Sequence, residues 1–224
     1  MKTGIIPYLN QMFSILAVAF CFVPLCLYWW KKLGPDRSYL IVALFWTING
    51  ITYTPEIFHW TWYNSITNQI TLYYNLIDAP FIILFFYFFY KKKFFLYLLI
   101  GFIFFEALMI AWKGFNFDSN DIIIGVGSLI CLVLNIWGIS LYLRNIEHSS
   151  SENVMVFINA GFIFYYGLFP VTFYFNYLQS SRVVLQANLP YVTFINYFSI
   201  CMAAGLISYG LWKFAIKNYR EEHF

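Results

Sequence analysis

An all-α, polytopic membrane domain of seven transmembrane helices is the fold class predicted for this chain, and three observations predict it. Only 10% of the 224 residues are charged, against 62% hydrophobic. A water-soluble domain carries about 25% charged residues, and so few charges cannot cover a globule in water. Apolar runs of about 20 residues, enough to cross about 30 Å of hydrocarbon as helix, recur along the whole chain. Lys and Arg gather on alternate connections between those runs, which is the bias that orients membrane helices.

The spans are expected at residues 9–30, 38–54, 70–90, 94–112, 121–143, 154–177 and 190–215, and residues 1–224 read as a single seven-helix domain. In the first span, Leu16 to Phe20 offers a small-x-small cleavage pattern. The apolar run nevertheless continues to Trp30, and Asn10 and Gln11 leave almost no hydrophobic region ahead of that pattern. An uncleaved first helix is therefore expected. The second span is short; it either extends past Pro55 to Phe58 or crosses with little tilt. Only Lys91, Lys92 and Lys93 separate the third and fourth, which predicts a tight helical hairpin. Gly125 and Gly127 in the fifth, and Ser199, Ala203, Ala204, Gly205, Ser208 and Gly210 in the seventh, mark close helix contacts. The gaps at 55–69 and 178–189 are rich in Trp, Tyr, Asn and Ser and read as interfacial loops.

With the N-terminus outside, the inner segments hold Lys31, Lys32, Arg37, Lys91, Lys92, Lys93, Arg144, Lys213, Lys217 and Arg220, and the outer ones only Lys2, Lys113 and Arg182. The C-terminus is then cytoplasmic. Trp29, Trp30, Trp60, Trp62, Trp112 and Trp212 lie near span ends, as an interfacial aromatic belt requires. No N-x-S/T acceptor is present. The residue usage suits an A/T-rich genome, so the location expected is a bacterial inner (plasma) membrane. Membrane lipids are the first partners; nucleic acid is excluded as one, because the cations flank apolar runs and form no basic face. Cys21, Cys26, Cys131 and Cys201 all fall within apolar runs and form no C-x-x-C pair, which points to reduced, buried thiols with no disulfide or zinc site.

Polar residues inside the spans carry the functional reading. A charge at the bilayer centre costs about 2.5–3.5 kcal/mol on insertion scales. Asp78 lies about eight residues and Glu106 about six residues below the outer ends of their spans, roughly 9–12 Å deep. Asn49, Asn196, Ser199 and Pro170 reach the same outer layer. These residues can form an outward-opening pocket whose acids act as proton carriers or cation contacts. They can equally be packing polars, hydrogen-bonded to nearby Asn and Tyr. Asn135 and Asn159 sit in the inner half and read as packing polars. His59 has only Glu56 near it in sequence, too little for a metal site, and His148 and His223 read as solvated.

Three patches resemble the microbial rhodopsins, which share the seven-helix plan with the N-terminus outside. "YYNLIDAP" resembles that family's aspartate-to-proline stretch in helix three. "YGLFPVTF" sets Tyr166, Phe169, Pro170 and Phe173 at the places of its retinal-lining W-x-x-Y-P-x-x-W pattern. "SICMAAG" puts Ser199, Ala203 and Gly205 where it carries an acid, the Schiff-base lysine and a glycine. The resemblance implies a rhodopsin-like bundle. Alanine at 203 excludes covalent retinal on this alignment and leaves a non-covalent lipophilic ligand.

No H-E-x-x-H, G-x-S-x-G or phosphate-binding glycine loop occurs, so no enzyme is expected. Three functions remain. A receptor or sensor would bind a small apolar or amphipathic ligand through Asp78, Glu106, Asn49, Tyr166, Phe169, Pro170, Phe173, Asn196 and Ser199, and would signal through a cytoplasmic or membrane partner protein. A small proton-coupled transporter would use the two acids as proton sites. A structural or assembly subunit of a membrane complex would need no pocket at all.

Overall fold

The computed structural model describes residues 5–33, 37–58, 61–177 and 182–221. Within the helices, side chains are described except at 5–7, 56, 61–65, 68, 169–177, 182–190 and 214–221. Every extended element among the described residues is an α-helix: α1 (Ile5–Trp30), α2 (Arg37–Ile57), α3 (Thr61–Tyr90), α4 (Lys93–Lys113), α5 (Phe117–Arg144), α6 (Ser150–Tyr177) and α7 (Arg182–Glu221). Among the described residues, five segments are long and apolar enough to cross a membrane: Tyr8–Trp30, Gln69–Tyr90, Lys93–Lys113, Phe117–Arg144 and Tyr191–Lys213. That is the pattern of a multi-pass membrane protein.

The helices overrun the expected spans. The second helix continues through Pro55 to Ile57, beyond its short apolar run. The gap expected to be loop at 55–69 is largely helix, because α3 starts at Thr61. The loop expected at 178–189 is likewise overtaken by α7, which starts at Arg182. Hydropathy marks where a helix enters hydrocarbon, whereas the backbone gains a hydrogen bond per residue well beyond that edge. At 40 residues α7 is about 60 Å long, twice the hydrocarbon thickness.

The chain divides into two compact units, Leu25–Leu134 and Met1–Pro24 with Asn135–Phe224. In the first, α2 buries Val42, Ala43, Phe45 and Trp46, and α3 buries Ile82, Ile83, Phe85 and Phe86. The hairpin expected between α3 and α4 is present. Lys91 adopts a left-handed φ of 53° and Lys92 an extended conformation at the N-cap of α4. The turn lets Phe95 pack on Phe86 and Tyr90, with ring centroids 5.7 and 5.8 Å apart. Lys32 ends α1 in the same left-handed way, φ 47°. There the Leu33 amide donates to Tyr28 O and the Lys32 amide to Trp29 O, a Schellman closure sealed by buried Leu33.

In α2 the polar side chains bond back onto their own helix. Thr47, Thr52 and Thr54 donate to the carbonyls of Ala43, Ile48 and Gly50, and Asn49 Nδ2 donates to Phe45 O. These four groups, which would be orphaned in an apolar medium, thus each have an i−4 acceptor.

The second unit is built on α6 and α7, whose small residues meet closely. A Cβ on Gly161 would lie 2.8 Å from Ala203 O, and one on Gly210 2.7 Å from Phe157 Cβ. Phe13 of α1 packs edge-on against Phe194 and Phe198 of α7. Asn135 and Asn159, expected as packing residues, are both fully buried, and the Asn159 amide lies where a side chain on Gly138 would collide with it. His148, expected to be solvated, instead stacks on Tyr142 with centroids 3.6 Å apart. Cys21 and Cys131 are buried as expected, while Cys26 is exposed. Trp29, Trp30, Trp112 and Trp212 are exposed at the ends of apolar segments; Trp60 and Trp62 lie outside the described side chains.

The start of α6 is a capping box invisible to a reading by hydropathy. Ser149 Oγ accepts from the Glu152 amide, and Glu152 Oε2 accepts from the Ser149 amide at 2.8 Å. Ahead of the apolar stretch, that backbone donor holds the Glu152 carboxyl below its ordinary 4.5. A folded value below the unfolded one gives stability that is complete above the unfolded value and lost as pH falls through the folded one. Glu152→Gln is therefore expected to be about 0.3–1 kcal/mol less stable than the parent at pH 7. The gap should close in acid below the ordinary carboxylate range. Thermal unfolding in detergent at pH 7 and at about pH 2.5, below that range, measures both.

Candidate functional site

The outer-layer candidates fall in both units. Asn49, Asp78 and Glu106 belong to Leu25–Leu134, and Tyr166, Asn196 and Ser199 to the unit that holds α6 and α7.

In the first unit, Asn49 and Asp78 are joined by a residue that the spacing argument passed over. Tyr74 lies one turn before Asp78 on α3, so the two side chains share a face. Its hydroxyl is 2.7 Å from Asn49 Oδ1 and 3.1 Å from Asp78 Oδ1. Asn49 is completely buried, and its Nδ2 is committed to Phe45 O. Its oxygen therefore faces the tyrosine, and α2 and α3 are bridged by a polar chain running from Phe45 O through Asn49 and Tyr74 to Asp78. The signal for Tyr74 was its i, i+4 relation to the acid.

Glu106 lies on α4, whose pattern inverts that of a soluble helix. Phe94, Tyr97, Ile103, Phe104 and Leu108 face outward, while the buried face is Phe95, Phe102, Glu106 and Met109. The one acid of α4 is thus turned inward at 7% exposure, and its Oε1 is buried without a hydrogen-bond partner among the described residues. Register in this region is set by Gly127 of α5: a Cβ there would lie 2.9 Å from Ala79 Cβ of α3 and 3.1 Å from Phe102 Cζ of α4. Glu106 is one turn beyond Phe102, on the same face, toward the α4–α5 connection. It sits about 10 Å in from Lys113, the nearest cation on its own helix, and Lys113 Nζ lies 5.5 Å from the centroid of the Trp112 ring.

Asn120 was missed entirely. It lies just before the fifth expected span, where a polar residue looks like helix-end solvation. It is 4% exposed, with Oδ1 buried and unpartnered among the described residues. The local cause is the turn after α4. Gly114 takes φ 85° there, and Asn116 caps α5 by accepting the Ser119 amide at 3.0 Å. That cap draws the first turn of α5 inward.

In the second unit, Ser199 Oγ donates to Phe164 O at 3.1 Å, tying α7 to α6. Tyr166 is buried and Asn196 half-buried. Ala203 is fully buried, with its carbonyl in the Gly161 contact. The side chains of Phe169, Pro170 and Phe173 lie outside the described residues, as does His59. No group of three or more His, Cys, Asp or Glu suited to a metal occurs among the described residues.

Comparison of the chain with family models, with curated proteins and with solved structures finds no match.

Proposed function

We propose that the chain is a seven-span integral membrane protein of receptor or sensor type, N-terminus outside and C-terminus cytoplasmic, that binds a small amphipathic ligand. The polar contacts would come from Asn49, Tyr74, Asp78 and Glu106. The observation that carries this reading is Glu106: the only acid of α4 occupies its buried seam while the apolar side chains of that helix face outward. A carboxylate in an apolar medium needs a donor or a counter-charge, and a ligand's polar end supplies one. The back-bonded polar groups of α2 support the second span, and the clustered lysines support the orientation. The same buried acid would serve a proton-coupled carrier, and the assembly reading would need neither acid to meet anything.

The test is thermal unfolding in lipid nanodiscs with decyl-chain amphiphiles bearing amine, hydroxyl or amide heads. A head-group-selective rise in midpoint is expected in the parent and absent in Asp78→Asn. No shift with any head group, together with proton-gradient-driven flux in proteoliposomes, would replace the receptor by the carrier. No shift and no flux would leave the assembly subunit.

A further inference from the structure

The seam of α3, α4 and α5 holds two buried oxygens with nothing to accept from. Gly127 sets Phe102 of α4 and Ala79 of α3 at one level. Because α4 runs antiparallel to α3 from the hairpin, Glu106 comes level with position 75 of α3, which is Asn75. On α5 the same step outward from Gly127 reaches Ile123. Asn120 is one turn further, about 4.5 Å along the axis, on the stripe that carries Gly127. Leu72, Met109 and Ile123 are buried at these levels, as is Ser119 beside Asn120. Of the acids nearby on α5, Asp121 is half-buried and Asp118 exposed, so among the described residues Glu106 is the one buried carboxyl.

Glu106 is 93% and Asn120 96% buried, by their exposures of 7% and 4%. Glu106 Oε1 and Asn120 Oδ1 each lack a partner among the described residues. The helix ladder thus brings two acceptors, one of them a carboxyl, to within about one turn of each other along this seam, and the lysines that end α4, Lys93 and Lys113, are exposed. Such a pair is costly unless the carboxyl holds a proton or a positive species sits between the oxygens. The species must be small, because Gly127 shows the seam closed to within van der Waals contact one turn below. It must carry a single charge, because one carboxylate balances one, and a divalent ion would leave a net charge among Leu72, Met109 and Ile123.

We propose that Glu106 and Asn120, with Asn75 at the same level, form a binding site for a small monovalent cation of sodium's size. The inference rests on Glu106 belonging to the functional site described above and adds a cation to it. Glu106 supplies the charge, and the Asn120 carbonyl supplies a neutral oxygen that replaces part of the ion's hydration.

The experiment is the unfolding midpoint of the full chain in nanodiscs, titrated with sodium chloride against N-methylglucamine chloride at constant ionic strength. A sodium-dependent rise of about 3–6 °C at ten times the dissociation constant is expected. Glu106→Gln should abolish the dependence. Asn120→Val should shift the half-effect concentration about tenfold upward, and it carries the test if the Glu106 variant does not fold. Asp78→Asn should keep the sodium response while losing the amphiphile response, and a parent chain that responds to sodium but to no amphiphile sinks only the receptor reading. Equal midpoints in the two salts would mean that a proton alone neutralises Glu106, and would overturn the site. A sodium response surviving in Asn120→Val with an unchanged half-effect concentration would also overturn it.

Discussion

Gly161→Ala is expected to destabilise the chain by about 2 kcal/mol relative to Gly167→Ala, the same substitution six residues later in the same helix. Both changes gain helix propensity, about 1 kcal/mol each, so that term cancels in the difference. What remains is packing. At Gly167 an added Cβ meets nothing within 4 Å. At Gly161 it would lie 2.8 Å from the Ala203 carbonyl oxygen and 2.8 Å from Ile207 Cγ1. Ile207 can shift a rotamer, but a helix backbone cannot, so α7 must move away from α6. Overpacking of this kind costs about 1–3 kcal/mol. In lipid, where apolar side chains lose nothing by separating, close backbone approach is much of what holds two helices together. Denaturant titration of both variants in mixed micelles measures the difference. Equal stabilities would mean that α6 and α7 do not meet at Gly161.

Much of this fold was legible in the sequence, because hydropathy and helix length are tightly linked in a bilayer. The hairpin at Lys91–Lys93 follows from apolar run length, and a helix covers each of the seven expected segments, five of them apolar enough among the described residues to cross a membrane. The helix ends did not follow. Thr61 and Arg182 start helices inside segments whose composition reads as loop, since composition reports the solvent and not the backbone. The inward face of a helix is also hard to read when the helix is apolar all round, for α4 has no polar stripe to define its other side. Glu106 was the only marker there. Its place along the span gave a depth, but depth alone could not say whether it pointed inward or snorkelled. Tyr74 was hidden by abundance, one of 19 tyrosines, although Tyr74-x-x-x-Asp78 placed it on the acid's face. Asn120 was hidden because a polar residue at a span boundary looks solvated, and only the Asn116 cap shows why it turns inward.

Tyr74→Phe is the second change with a large expected effect, and it separates packing from function at the α2–α3 bridge. The ring is kept, so no cavity forms, while the one hydroxyl proton within reach of Asn49 Oδ1 at 2.7 Å and Asp78 Oδ1 at 3.1 Å is removed. Asn49 is wholly buried, so the loss should cost about 1–3 kcal/mol. Asn49→Leu should cost less, because the tyrosine hydroxyl keeps Asp78 Oδ1 as an acceptor at 3.1 Å. The double variant should cost less than the sum, with a coupling of about 0.6–1.7 kcal/mol, the range for hydrogen bonds between membrane helices. Zero coupling would mean that the 2.7 Å contact contributes nothing to holding α2 against α3. The functional consequence lies in Asp78. If Tyr74 orients that carboxyl for a ligand, Tyr74→Phe should weaken amphiphile binding although Asp78 is intact. If the chain of bonds serves only to clamp the two helices, the variant should lose stability and keep whatever binding the parent has. Measuring unfolding and binding on one preparation therefore decides between a positioning hydroxyl and a structural one.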